Sequence, residues 1–506
     1  MIEKLLEPYA ADVIDLYFKK ANICFPILDE VSFRRQYHEN KDKISPALLA
    51  CIYAHAMIYW DQMFPASHVR RPDSRFIWNL ANTAVYSEIH LLPGMSIIKA
   101  IALNIAGRPT TSLIGNGVML GSAVSMAYSL GLNHNPLGWE IPQQEKYLRM
   151  KIWWTILLHD RWASLAHGTP PHITPTHHDV PPPNLEYIFG GPGVVVNEAE
   201  SQPASVFVAL ASLTDVLDMH LQYIYDFNKE KTPPRVANLE LALSRWVESL
   251  TGAVRLIIMR GSHMDIPGAS NLRLAYLTVK LLLQRIELEA DKRILGASNG
   301  SGASGGGGVI GSGSGSGSTK SRRINPSASN VNHNNSNNND GADDKGHGDR
   351  LRSRDLQARQ TAEDILIMTQ ELTAEQLGDF WLSVSAFSYP AAVNFLLRCA
   401  LETGTSPADL VASNGAFRIA RGLIDALRSH RDGPNAWDLG DVCLAQHSEI
   451  VDKILLAAGA IPSSHGAGGP LDAGVSLDLH DFVMPDPSDI DQFFPDLWDP
   501  LQTAWM

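Results

Sequence analysis

Apolar residues recur every three or four positions along most of the chain, which is the spacing of a helix with one buried face. The recurrence is clearest in residues 142–168, where one face carries Leu148, Ile152, Thr155, His159, Trp162 and Ala166. Trp153, Trp154 and several leucines cover much of the remaining surface. Pro142 and Gly168 are typical of a helix start and a helix end. A helix that is apolar nearly all round is normally buried, so this segment predicts the central helix of the fold.

The same periodicity predicts further helices on both sides of residues 142–168. The predicted ranges are 9–21, a short helix capped by Asp29, 46–60 with Ser45 as its cap, 76–92, 97–106, 112–132, 204–230, 236–260, 271–295, 356–372, 374–403, 408–429 and 436–458. One face of the helix 271–295 carries Leu274, Leu277, Leu281, Gln284 and Leu288. No segment of the first 295 residues alternates at the strand period for more than a few positions. The pattern therefore predicts an all-α fold, a large multi-helix domain.

Changes in composition divide the chain into four segments. Residues 1–295 and 350–460 carry the helical pattern, and we interpret them as two parts of one domain. Residues 296–349 are rich in Gly, Ser and Asn and contain no Phe, Trp or Tyr, which predicts a disordered linker. Basic clusters near residues 320 and 350 could direct nuclear import, or could only keep the linker solvated.

Residues 461–506 form a predicted disordered tail of a different kind. From Leu471 onward the tail contains many Asp residues, neither Lys nor Arg, and interleaved aromatic residues. Its densest apolar cluster consists of Phe493, Phe494, Leu497 and Trp498. This composition is typical of an activation segment. The alternative is an acidic end that only keeps the protein soluble.

Bulk properties exclude several classes of protein. The net charge of −13 does not fit a chain that binds nucleic acid over its whole surface. The four cysteines, Cys24, Cys51, Cys399 and Cys443, lie far apart in apolar helical contexts, which predicts reduced core residues rather than disulfides or a metal cluster. The N-terminus lacks the apolar region of a signal peptide. No uninterrupted apolar run of about 18 residues is present, so we expect no membrane span.

Two features of the central segment call for a chemical explanation. Asp160 and Arg161 lie in its apolar second half, where we expect them to pair with neighbouring elements because an unpaired buried charge is costly. Residues 167–179 contain four histidines and Asp179, so a metal- or metabolite-binding protein is an alternative interpretation. Neither the paired spacing of structural zinc sites nor a nucleophile motif is present. We therefore assign no metal ligand, no cofactor and no catalytic residue, and we expect a non-enzymatic protein.

Short motifs in residues 8–260 resemble a known family. They include the helix end GSAVSMAYSLGLNHNP, the basic residues before the tryptophan pair, and the segment HDRWASLAHGTPPHI. The motif core consists of Trp153, Trp154, Asp160, Arg161, Gly168 and Pro170. Together these motifs resemble the middle homology region of fungal zinc-cluster transcription factors, the fungal-specific transcription factor domain. Within this family, the sequences of these motifs are most similar to those of nitrogen-catabolism co-activators for 4-aminobutyrate, urea and allophanate utilisation.

The resemblance implies a nuclear transcription regulator or co-activator of catabolic genes that acts through other transcription factors and the transcription machinery. It leaves room for a small-molecule inducer and for dimerisation. The zinc cluster of the family needs six closely spaced cysteines, and this chain has no such pattern. We therefore expect it to contact DNA only through a partner, or to be a truncated DNA-binding activator whose N-terminal module is missing.

Overall fold

The computed structural model describes residues 2–63, 72–91, 93–107, 113–191, 196–226, 231–301, 340–434 and 436–460, and every regular element in these ranges is a helix. The predicted all-α fold is therefore confirmed. The α-helices are α1 (Ile2–Leu6), α2 (Ala10–Tyr17), α3 (Glu30–Glu39), α4 (Pro46–Ala56), α5 (Trp60–Met63), α6 (Ser74–Leu91), α7 (Met95–Gly107), α8 (Leu113–Ser129), α9 (Gln143–His167), α10 (Leu185–Ile188), α11 (Glu198–Tyr225), α12 (Pro233–Ser249), α13 (Gly252–Arg260), α14 (Ala269–Ser301), α15 (Asp340–Gln370), α16 (Ala374–Leu377), α17 (Ser388–Thr403), α18 (Pro407–Ser413), α19 (Gly415–Asp432) and α20 (Asp441–Ala457). Shorter helical turns comprise Phe18–Asn22, Lys41–Lys43, Met57–Tyr59, Pro175–His177 and Ser383–Phe387.

The predicted helix ends that depend on local chemistry are confirmed. The Asp29 side chain accepts a hydrogen bond from the Ser32 amide at the start of α3 (2.8 Å). Ser45 caps α4, which has a proline in its first turn. Gly168 ends α9 in the left-handed conformation, with φ +66°, where a residue without Cβ is favoured.

Three predicted helices are each divided into separate helices in the structure. Range 236–260 is divided between α12 and α13 at Leu250 and Thr251, just before Gly252, whose φ is +55°. Range 408–429 is divided between α18 and α19 because the Asn414 side chain accepts the Phe417 amide and starts a new helix.

The third divided helix is the predicted range 374–403, and a contact with a distant helix causes its break. Asn271 of α14 accepts hydrogen bonds from the Leu382 amide (3.0 Å) and the Ser385 hydroxyl (2.8 Å). These bonds hold an extended Leu382 between α16 and the turn Ser383–Phe387. Periodicity cannot reveal the break because the competing acceptor lies on a distant helix.

The helices on both sides of the predicted linker extend into it. α14 ends at Ser301 and α15 begins at Asp340, so these helices include residues 296–301 and 340–349. The two helices pack along each other, and Arg354 pairs with Glu287 (2.6 Å) and Asp291 (2.7 Å). A helix that has been nucleated by packing propagates at low cost per residue. Residues 302–339 of the linker lie outside the described residues.

α14 connects two hydrophobic cores. Its predicted apolar residues Leu274, Leu277, Leu281 and Leu288 belong to the core built with α15 and α17–α20. Other residues of α14 pack into the core of the first thirteen helices. The chain after the predicted linker therefore packs directly on the first part. This contact favours our interpretation of 350–460 as part of the same domain.

An aromatic cluster brings the C-terminal part into the first core. Phe380 stacks on Phe25 (ring centroids 5.8 Å apart) and on His55 (6.0 Å). Phe25 in turn makes edge contacts with His159 of α9 (5.4 Å) and Phe207 of α11 (5.8 Å). Aromatic pairs of this kind add stability beyond the area that they bury. Phe380 thus anchors the segment after α15 beside the central helix.

Among the described residues, two helical segments are long and apolar enough on average to cross a membrane, α11 and residues 383–403. Most of each segment is buried inside the protein, as in a core helix. Polar residues interrupt both segments, so neither is the uninterrupted apolar run whose absence the sequence indicates. Burial by neighbouring helices accounts for their composition.

Three fully buried histidines predict a loss of stability in acid. Burial lowers the pKa of His55, His159 and His220 to about 4. Below pH 6.5 the unfolded chain binds protons that the folded chain excludes, so each histidine should cost on the order of 2 kcal/mol of unfolding free energy at pH 5. His220→Gln should therefore reduce the loss of unfolding free energy between pH 7 and pH 5 by about 2 kcal/mol, measured by chemical denaturation.

The control for this experiment is His90→Gln, because His90 is exposed on α6. Groups with raised pKa, such as the Asp215 carboxyl at about 6, oppose the trend in the wild type but are unchanged between the variants. An identical pH dependence in wild type and His220→Gln would mean that His220 is protonated in the folded protein.

Candidate functional site

Four of the motif residues, Trp153, Trp154, Asp160 and Arg161, lie on the buried part of α9, and Gly168 ends this helix. Trp153 and Trp154 are almost completely buried, as the sequence predicts. Asp160 and Arg161 are also buried, with at most 1% of either side chain exposed. α9 holds them in the interior because α7, α8, α10 and α11 pack around it.

Asp160 is the acceptor of a buried hydrogen-bond network. One carboxylate oxygen accepts the His172 backbone amide (2.9 Å) and lies 3.0 Å from Nδ1 of the same residue. The other oxygen accepts the Ile173 amide (3.0 Å) and the Arg161 guanidinium (2.5 Å). The hydrogen bond to Asp160 raises the pKa of His172. Asp160 therefore holds the loop after α9 against the helix.

Arg161 links this network to α11. Its Nε lies 2.6 Å from a carboxylate oxygen of Asp218. Burial raises the pKa of Asp218, and Arg161 opposes that effect. Burial and neighbouring Asp218 raise the pKa of Asp215 to about 6. The expected pairing of Asp160 and Arg161 with neighbouring elements is thus confirmed.

Further hydrogen bonds fix the proline-rich loop at both ends. The Ser164 hydroxyl donates to the Thr169 carbonyl (2.5 Å), next to the left-handed Gly168. The Trp154 indole N–H donates to the Pro181 carbonyl (2.7 Å). The motif thus joins α9 to the loop that follows it.

The four histidines of residues 167–179 face different partners. His167 makes an edge contact with Phe387 (5.9 Å), and His178 packs on Trp153 (5.4 Å). His172 belongs to the carboxylate network. In the described part of the chain no group of three His, Cys, Asp or Glu side chains is placed to hold a metal ion.

A shallow cavity of about 580 Å³, widely open to solvent, lies between the end of α8 and the turn Pro175–His177. Its lining consists of Tyr128, Asn133, His134, Thr176, His177, His178 and Asp179. The Asn133 side-chain amide donates to the His177 carbonyl (2.9 Å), and the Asp179 amide donates to the Asn133 carbonyl (3.2 Å). The Asp179 carboxylate accepts the Asn135 amide (2.7 Å). These three bonds fix the two walls relative to each other.

Three polar atoms near this cavity are buried and have no hydrogen-bond partner in the described part of the protein. They are the Tyr128 hydroxyl and Nδ1 of His178, whose residues line the cavity, and the Trp153 indole nitrogen beneath them. The Tyr128 and His178 rings both pack on Trp153, at 5.7 and 5.4 Å. The cavity therefore lies directly over the motif helix.

The other predicted residues are distributed elsewhere. Pro170 is exposed just after the end of α9. Phe493, Phe494, Leu497 and Trp498 of the tail lie outside the described residues.

Sequence reasoning missed Asp218 and the cavity. The available signal for Asp218 was an acidic pair, Asp215 and Asp218, on the otherwise apolar helix α11, because a buried acid requires a cationic partner. The cavity had no such signal, since its lining comes from two separate loops.

The comparison with protein families matches residues 14–252 to the fungal specific transcription factor domain. This range contains the whole motif core and the cavity. Residues 14–252, just under half of the chain, are therefore similar to the fungal specific transcription factor domain. The resemblance based on the tryptophan pair, Asp160-Arg161 and Gly168 is therefore confirmed. No solved structure matches the chain.

Several curated fungal regulators are similar to parts of this chain. An uncharacterized transcriptional regulatory protein of Schizosaccharomyces pombe is 28% identical over 162 residues, which cover 32% of this chain and 24% of that protein. Transcriptional activator protein DAL81 of Saccharomyces cerevisiae is 30% identical over 174 residues, 34% of this chain and 18% of that protein. The acetamidase regulatory protein of Aspergillus oryzae is 23% identical over 290 residues, 56% of this chain and 35% of that protein. The chain thus spans about a third or less of the length of these relatives.

Proposed function

We propose that this chain is a nuclear, non-enzymatic transcription regulator that activates catabolic genes, nitrogen-utilisation genes among them, through protein partners. The observation that carries the proposal is the match of residues 14–252 to the fungal specific transcription factor domain. The names of the similar proteins, a transcriptional activator and acetamidase regulatory proteins, support the same class of function.

The geometry of the motif core supports a scaffold rather than a reaction centre. Asp160, the residue most suited to acid–base chemistry by its position, is used entirely as an acceptor for backbone amides, His172 and Arg161. A helical domain fixed by such buried contacts suits docking of transcription factors and the transcription machinery on its outer surface. Measurement of the protein's mass in solution determines whether it dimerises.

Indirect contact with DNA is part of the proposal. The four cysteines are free and separately buried in the helical cores, whereas the family's zinc cluster uses six closely spaced cysteines. The alternative is a DNA-binding activator with a zinc cluster encoded upstream of Met1. The genomic sequence upstream of that codon distinguishes the two, because a six-cysteine exon there supports the alternative.

The activation assignment is tested with a reporter gene. The complete chain, fused to an unrelated DNA-binding module, should activate the reporter, and residues 471–506 fused alone should also activate it. Replacing Phe494, Leu497 and Trp498 by Ala should remove most of the signal. Activators of this class bind partners through aromatic and leucine side chains that enter a groove on the partner.

The matched control is Asp496→Asn with Asp499→Asn, which should reduce the signal only partly because these residues mainly keep the segment soluble. Fusion levels are compared by immunoblot. Equal activity of the triple-alanine tail and the native tail would eliminate the tail as an activator, and a silent complete-chain fusion would contradict the proposed function itself.

A second candidate function is binding of a metabolite by residues 167–179. The specific observation that favours it is the 580 Å³ cavity, which four residues of this segment line. The two functions are compatible in one protein, since the cavity is lined by residues between 128 and 179 and the proposed activation segment is residues 471–506.

A further inference from the structure

We propose that Lys99 of α7 and Lys151 of α9 form a binding site for a small dianion, a phosphate or a dicarboxylate. The inference goes beyond the proposed regulatory function and does not depend on it. It rests on two neighbouring lysine side chains that have no ion-pair partner, in a chain whose net charge is −13.

Lys151 belongs to the basic residues that precede the tryptophan pair, and it is buried. Only 8% of its surface is exposed, and its ammonium group makes no hydrogen bond or ion pair with a described residue. Arg149 of the same motif is paired with Glu145 (3.2 Å) and donates to the Leu130 carbonyl (3.1 Å). A buried ammonium group without a partner is costly, so a ligand that supplies a negative charge to Lys151 gains affinity.

Lys99 brings a second ammonium group to this position. α7 packs against α9, and burial together with the nearby charge of Lys151 lowers the pKa of Lys99 to about 8. Lys99 also makes no hydrogen bond or ion pair with a described residue. Two like charges at short range repel each other. An anion bound to both ammonium groups would offset this repulsion and provide the partner that each of them lacks.

The carboxylate of Asp29 lies near Lys151 but does not pair with it. It accepts the Ser32 amide at the start of α3 (2.8 Å). Burial raises the pKa of Asp29, but the hydrogen bonds from Ser32 oppose burial, and the charges of Lys151 and Arg35 also lower this pKa, which ends below its usual value. Three cations, Lys99, Lys151 and Arg35, thus surround one carboxylate. The excess of two positive charges matches a dianion.

The site is accessible from solvent. Lys99 is partly exposed, and Asp29 and Arg35 are exposed. Both lysine nitrogens keep accessible surface, since neither belongs to the enclosed polar atoms that lack a partner. The flexible lysine stems let both ammonium groups adjust to a bound anion. Because Lys151 is buried on the central helix, a small anion reaches it more readily than the surface of a macromolecule does.

The test measures binding of inorganic phosphate and of succinate to the purified complete chain by isothermal titration calorimetry. Acetate is the monoanion for comparison, and all titrations are made at pH 7.5 and equal ionic strength. Phosphate, succinate or both should bind saturably at millimolar or lower concentration. Acetate should bind at least about tenfold more weakly, because it leaves one ammonium group without a charged partner. Binding of only one of the two dianions identifies the class of the ligand.

Two variants locate the binding site. Lys151→Met keeps a long side chain without the charge, and it should abolish saturable binding. It should leave the unfolding midpoint of the ligand-free protein unchanged or higher, because it removes an unpaired buried charge. Lys99→Met should weaken binding at least fivefold. The matched control is Lys146→Met on the same helix, because Lys146 already donates to the Leu137 carbonyl (2.9 Å), and it should bind like the wild type.

The unfolding midpoint of each variant is measured with and without the dianion. If Lys151→Met does not fold, Lys99→Met decides the result, because Lys99 is partly exposed. Absence of saturable binding for both dianions, equal affinity for acetate, or wild-type affinity in either site variant would overturn the proposal. None of these results would alter the reporter experiment on the regulatory function.

Discussion

Asp160→Asn should lower the free energy of unfolding by about 3–5 kcal/mol, the range for removing one partner of a buried ion pair. Asparagine keeps the shape but removes the charge that Arg161 faces in the interior. It also places an NH₂ group against donors, since the backbone amides of His172 and Ile173 both point at this side chain. Chemical denaturation followed by circular dichroism measures the effect.

Limited proteolysis gives a second measurement of the same change. Loss of the Asp160 acceptors should release the loop after Gly168, so cleavage within residues 169–183 should become faster. The control is Asp425→Asn, which removes the partner of Arg421 in a pair about half exposed on α19 and should change stability by less than about 0.5 kcal/mol. Equal effects of the two substitutions would show that burial of the Asp160 network adds nothing to stability.

Trp153→Ala should cost on the order of 3–5 kcal/mol of unfolding free energy, because the ring is fully buried and its removal leaves a large cavity. The loss should be visible as a lower unfolding midpoint and a lower yield of soluble protein. Trp153→Phe retains most of the packing against Tyr128 and His178 and should therefore cost much less.

The control for this substitution is Trp139→Ala. Trp139 is 36% exposed and contacts Arg149 by a cation–π interaction (5.4 Å), so its removal should cost about 1 kcal/mol or less. A Trp153→Ala protein that keeps wild-type stability but loses reporter activity would show that Trp153 is a contact for a ligand or partner, not a core residue. The packing interpretation would then be wrong.

The two substitutions probe the same structural unit from opposite sides. Asp160 holds the loop on one side of α9, and Trp153 forms the floor on which the cavity residues Tyr128 and His178 rest.

The sequence by itself determined the features that depend on neighbouring residues. Apolar periodicity predicted α9, and short-range hydrogen bonding or left-handed backbone geometry predicted its end at Gly168 and the caps at Asp29 and Ser45. The motif around the tryptophan pair indicated the family, since it is a linear pattern. These predictions succeeded because a helix and its caps involve residues only a few positions apart.

Only the tertiary structure decided where distant groups meet. The pairing of Arg161 with Asp218, and the break at Leu382 imposed by Asn271, join helices that are far apart in the chain. The cavity is likewise formed by the end of α8 and a loop after α9. The sequence shows that a charge or an amide within an apolar helix would be costly to bury. It does not show which group compensates for that cost, because packing in three dimensions brings the compensating group into contact.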